Sequence, residues 1–454
     1  MKEHEITSLD ELESACIENR LMTLKGFGVK TQQTILDQLA FIKDNNGYFL
    51  WQEADQWKQT LETVIHQNNQ DLEFEIAWVG DYAMQNAVLN QLECIISVPL
   101  DVLEQSFQES NIENYEIDND GLILLVTNEK RQTCCFYYQN EHTFYNKVFE
   151  SNSSLAFLEQ FQNKYTIPAT INSESDIFEC NSIPFIPPYL RHNAHILDTQ
   201  QLSKIDTIIQ ENDIKGIIHC HSTWSDGINT LKDMALEAKR QGMEYLMISD
   251  HSQTAAYANG LTIDKVKQQH AEIDLLNQSL APFKIFKSIE SDILNDGSLD
   301  YPNEILDLFD IVIASVHSNL NMDKAKATQR ILKAISNPYT SIIGHPSGRL
   351  LLSRKGYDLD YETIIESCST NNVVIELNAN PKRLDIDWEY LASMQQKGLL
   401  TSINPDAHSI AQIAYVKYGV LIAQKAMLHP KSNLSSFTLQ EIEQFIEQQK
   451  QKRN

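Results

Sequence analysis

The chain has 454 residues, 42% of them hydrophobic and 22% charged, which is enough for two or three folded domains with their own cores. Its formal net charge of −26 at pH 7 argues against a high-affinity polymerase, because nucleic-acid affinity comes largely from neutralising phosphates. Any DNA binding must therefore rely on a local patch or on bound cations. No stretch reaches membrane-spanning length and the acidic start does not resemble a signal peptide, so we expect no contact with a membrane.

Seven cysteines are spread along the chain, at positions 16, 94, 134, 135, 180, 220 and 368. Their number is odd, and no two of them form a CxxC pair. This pattern predicts reduced thiols in a cytoplasmic protein. It does not fit a disulfide framework or a zinc ribbon.

Residues 1–69 are predicted to be a helical region. Ser8 and Glu11 match a capping box at the start of one helix, and a second helix is predicted over residues 32–42. Between them, LKGFGVKT supplies two glycines and fits a helix–hairpin–helix that presents backbone N–H groups to a DNA phosphate. A tight turn between two helices is an equally good interpretation. The candidate DNA-binding residues are Gly26, Gly28, Lys30 and Thr31.

The next segments are predicted to be a small α+β domain and a connector. Within residues 70–165, β-rich runs cover 74–79, 93–98, 122–126 and 133–138. Residues 166–213 contain the proline cluster IPFIPPYLR, which suits an ordered linker. A barrel is predicted over 214–430, and the polar tail over 431–454 is expected to be a solvated helix.

Seven short apolar runs recur in the barrel segment with helical stretches between them. They cover residues 216–219, 245–249, 284–289, 311–316, 340–344, 373–377 and 400–403. The alternation predicts an α/β fold in which seven parallel strands are each followed by a helix. Side chains at the carboxyl ends of parallel barrel strands converge on one face, where such barrels place their chemistry.

Acidic and imidazole side chains stand at or just past six of these runs, with one more in the turn SDG after the first. They are His219, His221, Asp226, His251, Glu290, His317, His345, Asp406 and His408. Taken singly, each histidine is more often structural, but the set predicts a multinuclear metal site. His219 and His221 point to the same side of a strand because side chains alternate with period two. This mixture of donors suits zinc, manganese or iron better than magnesium or calcium.

A cluster of divalent cations is suited to phosphate esters, because it activates water near neutral pH and clamps phosphate oxygens. Arg349, in GHPSGRLL, is a candidate for a bidentate phosphate contact, and its alternative role is a surface salt bridge. Lys382 and Arg383 lie on the same rim and are weaker candidates. The candidate catalytic residues are Arg349, Asp406 and His408.

The barrel motifs resemble the PHP (polymerase and histidinol phosphatase) domain of bacterial family X DNA polymerases. They are IIHCHSTWSDG, ISDHS, SIESDIL, IASVHSN, GHPSGRLL, ELNANPKRLD and INPDAH. Upstream, IPPYLR resembles the family's linker and LKGFGVKTQQTIL its second hairpin, so the resemblance covers almost the whole chain. We expect the family's first hairpin domain to have no counterpart here.

The resemblance implies a distorted (β/α)7 barrel with three divalent cations, zinc or manganese and alternatively iron. One would lie at His219, His221, Glu290 and Asp406, a second at Asp226, His251 and His408, and a third at Glu290, His317 and His345. The family's activity is phosphoester hydrolysis, in these polymerases as a manganese-dependent 3′–5′ exonuclease.

The front half departs from the family's polymerase pattern and is similar to a degenerate palm domain. The family has a Gly-Ser, two arginines and an Asp-x-Asp. Here the stretch GDYAM begins at Gly80, and Gln91 and Glu93 stand in place of the aspartates. Cys135 stands at the third carboxylate position. Nucleotidyl transfer needs paired carboxylates to hold magnesium, so we predict that polymerase activity is lost.

Three functions remain open on the sequence. The first is a metal-dependent 3′–5′ exonuclease acting on DNA ends. The second is a phosphomonoesterase acting on a small metabolite, which the net charge of −26 favours. The third is a DNA- or protein-binding module whose barrel is only a scaffold. The sequence does not identify a protein partner, the metal or the oligomeric state.

Overall fold

A computed structural model describes residue 6 and residues 8–23, 28–110, 112, 115–117 and 123–453 of the chain. Two helices come first, α1 (Leu9–Ile17) and α2 (Val29–Asp44). The predicted capping box is present at α1: Glu11 N donates to Ser8 Oγ, and Ser8 N donates to the Glu11 carboxylate, each at 3.1 Å. The two helices pack together around buried Ala15, Cys16 and Leu21.

A small α+β domain follows. Its elements are β1 (Phe49–Leu50), α3 (Trp51–Asn68), β2 (Ile76–Val79), β3 (Val88–Leu89), β4 (Leu92–Ile96), α4 (Leu100–Glu109), β5 (Tyr115–Ile117), β6 (Ile123–Thr127), β7 (Thr133–Tyr138), α5 (Phe144–Ser151) and α6 (Leu155–Lys164). Five strands form one mixed sheet in the order β2-β4-β7-β6-β5, and β1 pairs with β3. The four β-rich runs of the sequence correspond to β2, β4, β6 and β7. Helices α3 and α4 cover one face of this sheet with apolar side chains.

The connector is ordered around one buried arginine. It contains two short helices, α7 (Ser175–Glu179) and α8 (Thr199–Leu202), between 3₁₀ turns. The guanidinium of Arg191 is buried, pairs with Glu174 at 2.5 Å and lies 5.0 to 5.4 Å from the rings of three phenylalanines, Phe149, Phe178 and Phe185. Because this cation is both paired and stacked, its burial fixes the proline-rich segment against the preceding helices.

Strands and helices alternate through the remaining chain. They are β8 (Gly216–Cys220), α9 (Leu231–Arg240), β9 (Tyr245–Ile248), α10 (Ile263–Leu280), β10 (Lys284–Asp292), α11 (Asn303–Leu306), β11 (Ile311–Ser315), α12 (Lys324–Ile335), β12 (Ile342–Ile343), α13 (Tyr361–Asn371), β13 (Val374–Asn378), α14 (Leu391–Gln396), β14 (Thr401–Asn404), α15 (Val416–Lys425) and α16 (Leu439–Gln451). Seven parallel strands follow one another in the order β8 to β14. A hydrogen bond from His221 N to Ala407 O, 2.8 Å long, joins the two edges, so the barrel is nearly closed. The predicted α/β barrel is confirmed.

Burial explains why the strands appear in the sequence as continuous apolar runs. Every residue of β8, β9, β11, β12, β13 and β14 is buried. Helices cover the outside of the barrel and side chains fill its interior, so both faces of each strand avoid water. Among the helices that the structure describes, none is long and apolar enough to cross a membrane.

The C-terminal helix α16 is not solvated on all sides, so that expectation was wrong. Ile442, Phe445 and Ile446 are buried against the first residues of several barrel strands, including Tyr245 and Ile311. These three side chains recur at helical spacing and form one apolar face, which the polar composition of the tail concealed. Helix α16 therefore covers the end of the barrel where the strands begin.

Replacing Ile442 with alanine should lower the free energy of unfolding by about 2–5 kcal/mol, because it removes a fully buried side chain from this contact. Gln444→Ala, on the exposed side of the same helix, should change it by less than about 0.5 kcal/mol. Denaturant unfolding of both variants measures the difference. Equal stabilities would mean that α16 does not support the barrel.

Candidate metal centre

Three of the predicted ligands occupy an unusual backbone conformation at strand ends. His219, His345 and Asp406 have φ angles of 62°, 23° and 51°. Residues other than glycine rarely adopt positive φ, and each such residue costs roughly 1–3 kcal/mol that the surrounding fold must offset. At His219 the register between β8 and β9 shifts, which accompanies the approach of the His219 and His221 rings to 5.3 Å. The positive φ angles therefore direct the side chains of these three residues toward the same site at the strand ends.

Six imidazoles form a continuous cluster at the carboxyl ends of the strands. The centroid distances are His221–His408 4.2 Å, His221–His251 4.5 Å, His251–His317 5.0 Å, His317–His345 5.2 Å and His219–His345 5.9 Å. The rings come from five separate places in the chain, so the closure of the barrel is what brings them together.

Glu290 lies at the centre of this cluster, at the end of β10. Its Oε1 is 3.2 Å from His219 Nε2, 3.1 Å from His317 Nε2 and 3.0 Å from His345 Nε2. Its Oε2 is 2.9 Å from His251 Nδ1. A carboxylate in contact with four imidazoles can share its two oxygens between cations, the bridging role predicted for it.

The nine predicted ligands fall into four overlapping groups whose donor atoms lie within 4.8 Å of one another. The groups are His221, Asp226, His251 and His408; His219, Glu290 and His345; His219, His221 and Asp406; and His251, Glu290 and His317. The structure therefore brings all nine together. The groups keep Asp226 with His251 and His408, and His219 with His221 and Asp406, as the family resemblance implied. They add His221 to the first of these sets and His251 to the set of Glu290 and His317.

Unpartnered polar atoms in this cluster fit bound cations. Among the described residues, five buried atoms of the cluster make no hydrogen bond of acceptable geometry, although two of them, His251 Nδ1 and Glu290 Oε2, lie 2.9 Å apart. The five are His219 Nε2, His221 Nδ1, His251 Nδ1, His345 Nδ1 and Glu290 Oε2. A buried polar atom without a partner costs about 1–3 kcal/mol. So many unbonded buried atoms on the predicted ligands are therefore unfavourable unless another group, such as a cation, binds them. Imidazole nitrogens and carboxylate oxygens are the donor set of transition-metal centres.

Burial and mutual charge shift the acid–base behaviour of these groups. Burial, together with the nearby His408 and His251, lowers the pKa of His221 to about 3, so this ring is neutral and offers a lone pair at pH 7. Burial also acts on His317, but the charge of Glu290 outweighs it and raises the pKa of His317 to about 10. For Glu290 itself, burial opposes ionisation, yet the surrounding imidazoles hold its pKa well below the usual range.

Two carboxylates that the sequence interpretation missed orient the ligands. Glu376 is fully buried, and its Oε1 lies 2.6 Å from His219 Nδ1, while its Oε2 accepts a 2.7 Å bond from His345 N. Asp292 lies 2.6 Å from His317 Nδ1. Carboxylates that hold the far nitrogen of a ligating histidine fix its ring orientation and raise its basicity.

A signal for these residues was present in the sequence. Asp292 follows Glu290 by two positions in β10, and Glu376 precedes Asn378 by two positions in β13, so each pair shares one face of its strand. Asn378, which stands at a strand end without being a metal ligand, donates to Glu376 at 3.2 Å and to Asp406 at 3.1 Å.

Another buried carboxylate supports the loop that carries Asp226. Asp250 accepts hydrogen bonds from Ser222 N at 2.8 Å, Ser225 Oγ at 2.5 Å and Gln269 Nε2 at 2.6 Å. These contacts tie the loop after β8 to the end of β9 and to α10, so Asp226 is held close to His251 and His408.

The two rim arginines have different surroundings. Arg349 pairs with Asp387 at 2.6 Å and donates to the carbonyls of Arg383 and Leu384. Arg349 therefore forms a salt bridge, which was the alternative role predicted for it. Its N–H groups bond to the loop after β13 and not to the metal cluster. Arg383 instead faces the cluster, with its Nε 3.6 Å from Asp406 Oδ2.

The positions that the resemblance aligned with polymerase carboxylates form a second small cluster in the front sheet. Glu93 and Cys135 are paired in neighbouring strands, and Glu93 Oε1 accepts from Gln91 Nε2 at 3.1 Å and from Tyr137 Oη at 3.2 Å. Gly80 lies so close that an added Cβ would meet Glu93 Oε2 at 2.1 Å. One carboxylate held by two neutral donors offers a poor site for paired magnesium ions.

The candidate DNA-binding residues lie partly outside the described chain. Gly26 belongs to the segment that the structure does not describe. Gly28 precedes α2, and Lys30 and Thr31 are exposed in its first turn, which contains no acidic residue. This helix end is accessible to a phosphate.

Replacing Glu376 with alanine should weaken metal binding about 10- to 100-fold, because His219 loses the partner that orients it. Calorimetric titration of the metal-free protein with Zn²⁺ measures the affinity. The matched control is Glu366→Ala, an exposed glutamate of the preceding helix α13, which should leave the affinity unchanged. Unchanged affinity in the Glu376 variant would contradict the orienting role.

Comparison with known proteins agrees with this geometry. Residues 218–451 match the PHP domain family. DNA polymerase/3′-5′ exonuclease PolX of Bacillus subtilis (strain 168) is 32% identical over 470 residues, which span 98% of this chain and 81% of that protein. Proteins named probable phosphatase from Caldicellulosiruptor saccharolyticus and Caldicellulosiruptor bescii are 28% and 27% identical over 43% of this chain, and the matches cover 81% and 80% of their lengths. The chain belongs to the PHP domain family, is similar to PolX over nearly its whole length, and is a metal-dependent hydrolase of phosphoester bonds.

Proposed function

We propose that the chain is a 3′–5′ exonuclease that removes nucleotides from DNA ends at a site for three divalent cations, zinc, manganese or iron. The observation that carries the proposal is the convergence of nine donor side chains around buried Glu290. The similarity to PolX supports DNA as the substrate because it includes the front half, which a phosphatase barrel alone does not need.

The proposed ligands are the nine residues of the cluster. Bound cations would make water nucleophilic near neutral pH and neutralise charge on the phosphate. The protein's own contribution is geometric: Glu376 and Asp292 hold the rings of His219 and His317 in position, and the buried strand ends exclude bulk water. His408 is one-third exposed, and the buried Asp406 has its Oδ1 3.8 Å from His408 Nδ1. Both are proposed to contact the reacting phosphate together with the cations.

We propose Arg383 as the phosphate contact in preference to Arg349. Its guanidinium lies beside Asp406, and its side chain is partly exposed at the rim. A planar guanidinium can give two parallel hydrogen bonds to phosphate oxygens. Arg349 supports this indirectly, because its bonds to the carbonyls of Arg383 and Leu384 hold the loop that presents Arg383.

The front half is proposed to position DNA without polymerising it. We propose the helical, palm-like and linker segments expected from the sequence, residues 1–69, 70–165 and 166–213, with one change. The palm-like segment extends back to β1 and α3, which share its core. Gly26, Gly28, Lys30 and Thr31 are the proposed phosphate contacts. Support comes from Thr34, one turn further along α2, whose hydroxyl accepts a 3.2 Å bond from Asn321 in the loop after His317. A strand held at the start of α2 would therefore lie near the metal centre.

A second candidate is hydrolysis of a small phosphate monoester. The net charge of −26 favours it, because that field repels a polyanion more than a small ester. The relatives named probable phosphatase also match only about the barrel's share of the chain. We propose the cytoplasm as the compartment, since all seven cysteines are unpaired thiols.

The protein loaded with Mn²⁺, Zn²⁺ or Fe²⁺ should shorten a 5′-labelled single-stranded oligonucleotide stepwise from its 3′ end, and gel analysis shows the ladder. In His251→Ala the rate should fall by more than about a hundredfold, because the variant loses a donor shared by two ligand groups. The exposed His142→Ala is the matched control and should retain the full rate.

The same preparations are to be assayed on glycerol phosphate. Rapid release of phosphate without any oligonucleotide shortening would overturn the exonuclease proposal in favour of the second candidate. Equal rates in His251→Ala and the control would show that the hydrolysis observed does not come from this site.

No template-directed nucleotide incorporation should be detected with Mg²⁺ or Mn²⁺ at concentrations where nucleotide release is visible. The physical reason is that Gln91 and Cys135 supply no carboxylate beside Glu93. Primer extension with the Bacillus subtilis PolX as positive control measures this. Extension by the present chain at a rate near that of the control would refute the loss of polymerase function.

A further inference from the structure

Tyr257 is an exposed aromatic residue beside the metal centre. It lies in the 3₁₀ turn Ala256–Ala258 after β9, and 70% of it is exposed. Its ring centroid is 6.0 Å from that of His251 and 6.4 Å from that of His317. Single exposed apolar residues are common on proteins, but this one stands directly over the rim of the reactive cluster.

The loop that carries Tyr257 is firmly anchored on both sides of the turn. Ala255 and Ala258 are buried, and Thr254 donates through its hydroxyl to Asp292 at 2.9 Å and through its backbone N to Asp300 at 2.8 Å. These contacts hold the turn to β10 and to the loop that follows β10. The exposed ring is therefore presented from a fixed base.

A close approach of two backbone segments completes the anchoring. The bridge between Ser252 and Leu261 closes the loop at its neck. Gly260 stands there because an added Cβ would lie 1.9 Å from Ser252 O. Asn259, with φ of 56°, occupies the left-handed region that asparagine tolerates. These contacts hold the turn in one conformation. Because it is already ordered, the turn loses little conformational entropy when a ligand contacts Tyr257.

We propose that Tyr257 stacks against the base of the nucleotide being removed, an inference that rests on the proposed exonuclease function. A nucleotide carries a flat aromatic base one sugar away from its phosphate, so a phosphate at the cluster places its base near the rim. Stacking on an aromatic side chain is worth about 1–3 kcal/mol per base and tolerates every base, as an exonuclease requires. An aliphatic phosphate ester has no ring to use this surface.

The test compares two 5′-labelled oligonucleotides that differ only at the 3′ end, one with a normal thymidine and one with an abasic residue. Tyr257→Ala should lower kcat/KM for the thymidine end about 10- to 100-fold, mainly through KM, and leave the abasic end unchanged. Tyr257→Phe should retain the wild-type preference, because the ring and not the hydroxyl makes the contact.

Leu275→Ala, at an exposed apolar residue on the neighbouring helix α10, is the matched control and should change neither rate. Metal content and thermal midpoint are measured for each variant. Equal losses on both ends would mean that Tyr257 only supports His251, and unchanged rates on both ends would mean that it contacts nothing; either result overturns the proposal. If the wild-type protein releases nucleotides from neither end, the exonuclease function itself fails, and stacking fails with it.

Discussion

The barrel depends on one electrostatic constraint, the burial of Glu290 among imidazoles. A carboxylate that is 1% exposed remains ionised only if positive charge or hydrogen-bond donors compensate for the water it has lost. Four histidines contact it, and each of them comes from a different strand end. The strands must therefore close around Glu290. Glu376 and Asp292 contact the other ring nitrogens of His219 and His317 and so balance positive charge on these two imidazoles.

Much of the fold and of the site could be predicted because both follow from strand periodicity. All seven strands lie at the predicted apolar runs, and residues after their ends meet because parallel strands share a direction. Glu376 was not predicted because it lies inside β13, whereas the prediction considered residues at or after strand ends. The salt bridge between Arg349 and Asp387 could not be predicted as the main contact of Arg349, because loop conformation is not encoded in strand periodicity. The buried face of α16 was present in the spacing of Ile442 and Ile446 but was masked by polar neighbours.

The front half and the barrel meet through polar contacts. Lys425, at the end of α15, is buried, donates to Met84 O at 3.0 Å and lies 5.1 Å from the Trp388 ring. Burial lowers the pKa of Lys425 to about 8, although nearby Asp81 partly opposes this. The segment that begins at Gly80, which departs from the polymerase pattern, therefore packs against the barrel. This contact gives the segment a structural role that does not depend on polymerase chemistry.

The position of the metal centre, at the end of the barrel opposite α16, has a consequence for product release. Because side chains fill the barrel interior, a substrate would reach the metal centre from the face at the carboxyl ends of the strands, and its product would leave by the same face. For an enzyme that shortens a strand stepwise, each released nucleotide must leave by the route along which the strand advances. Each nucleotide must then be released before the DNA strand can advance to the metal centre. A free mononucleotide is accordingly expected to compete with the strand end for the same opening.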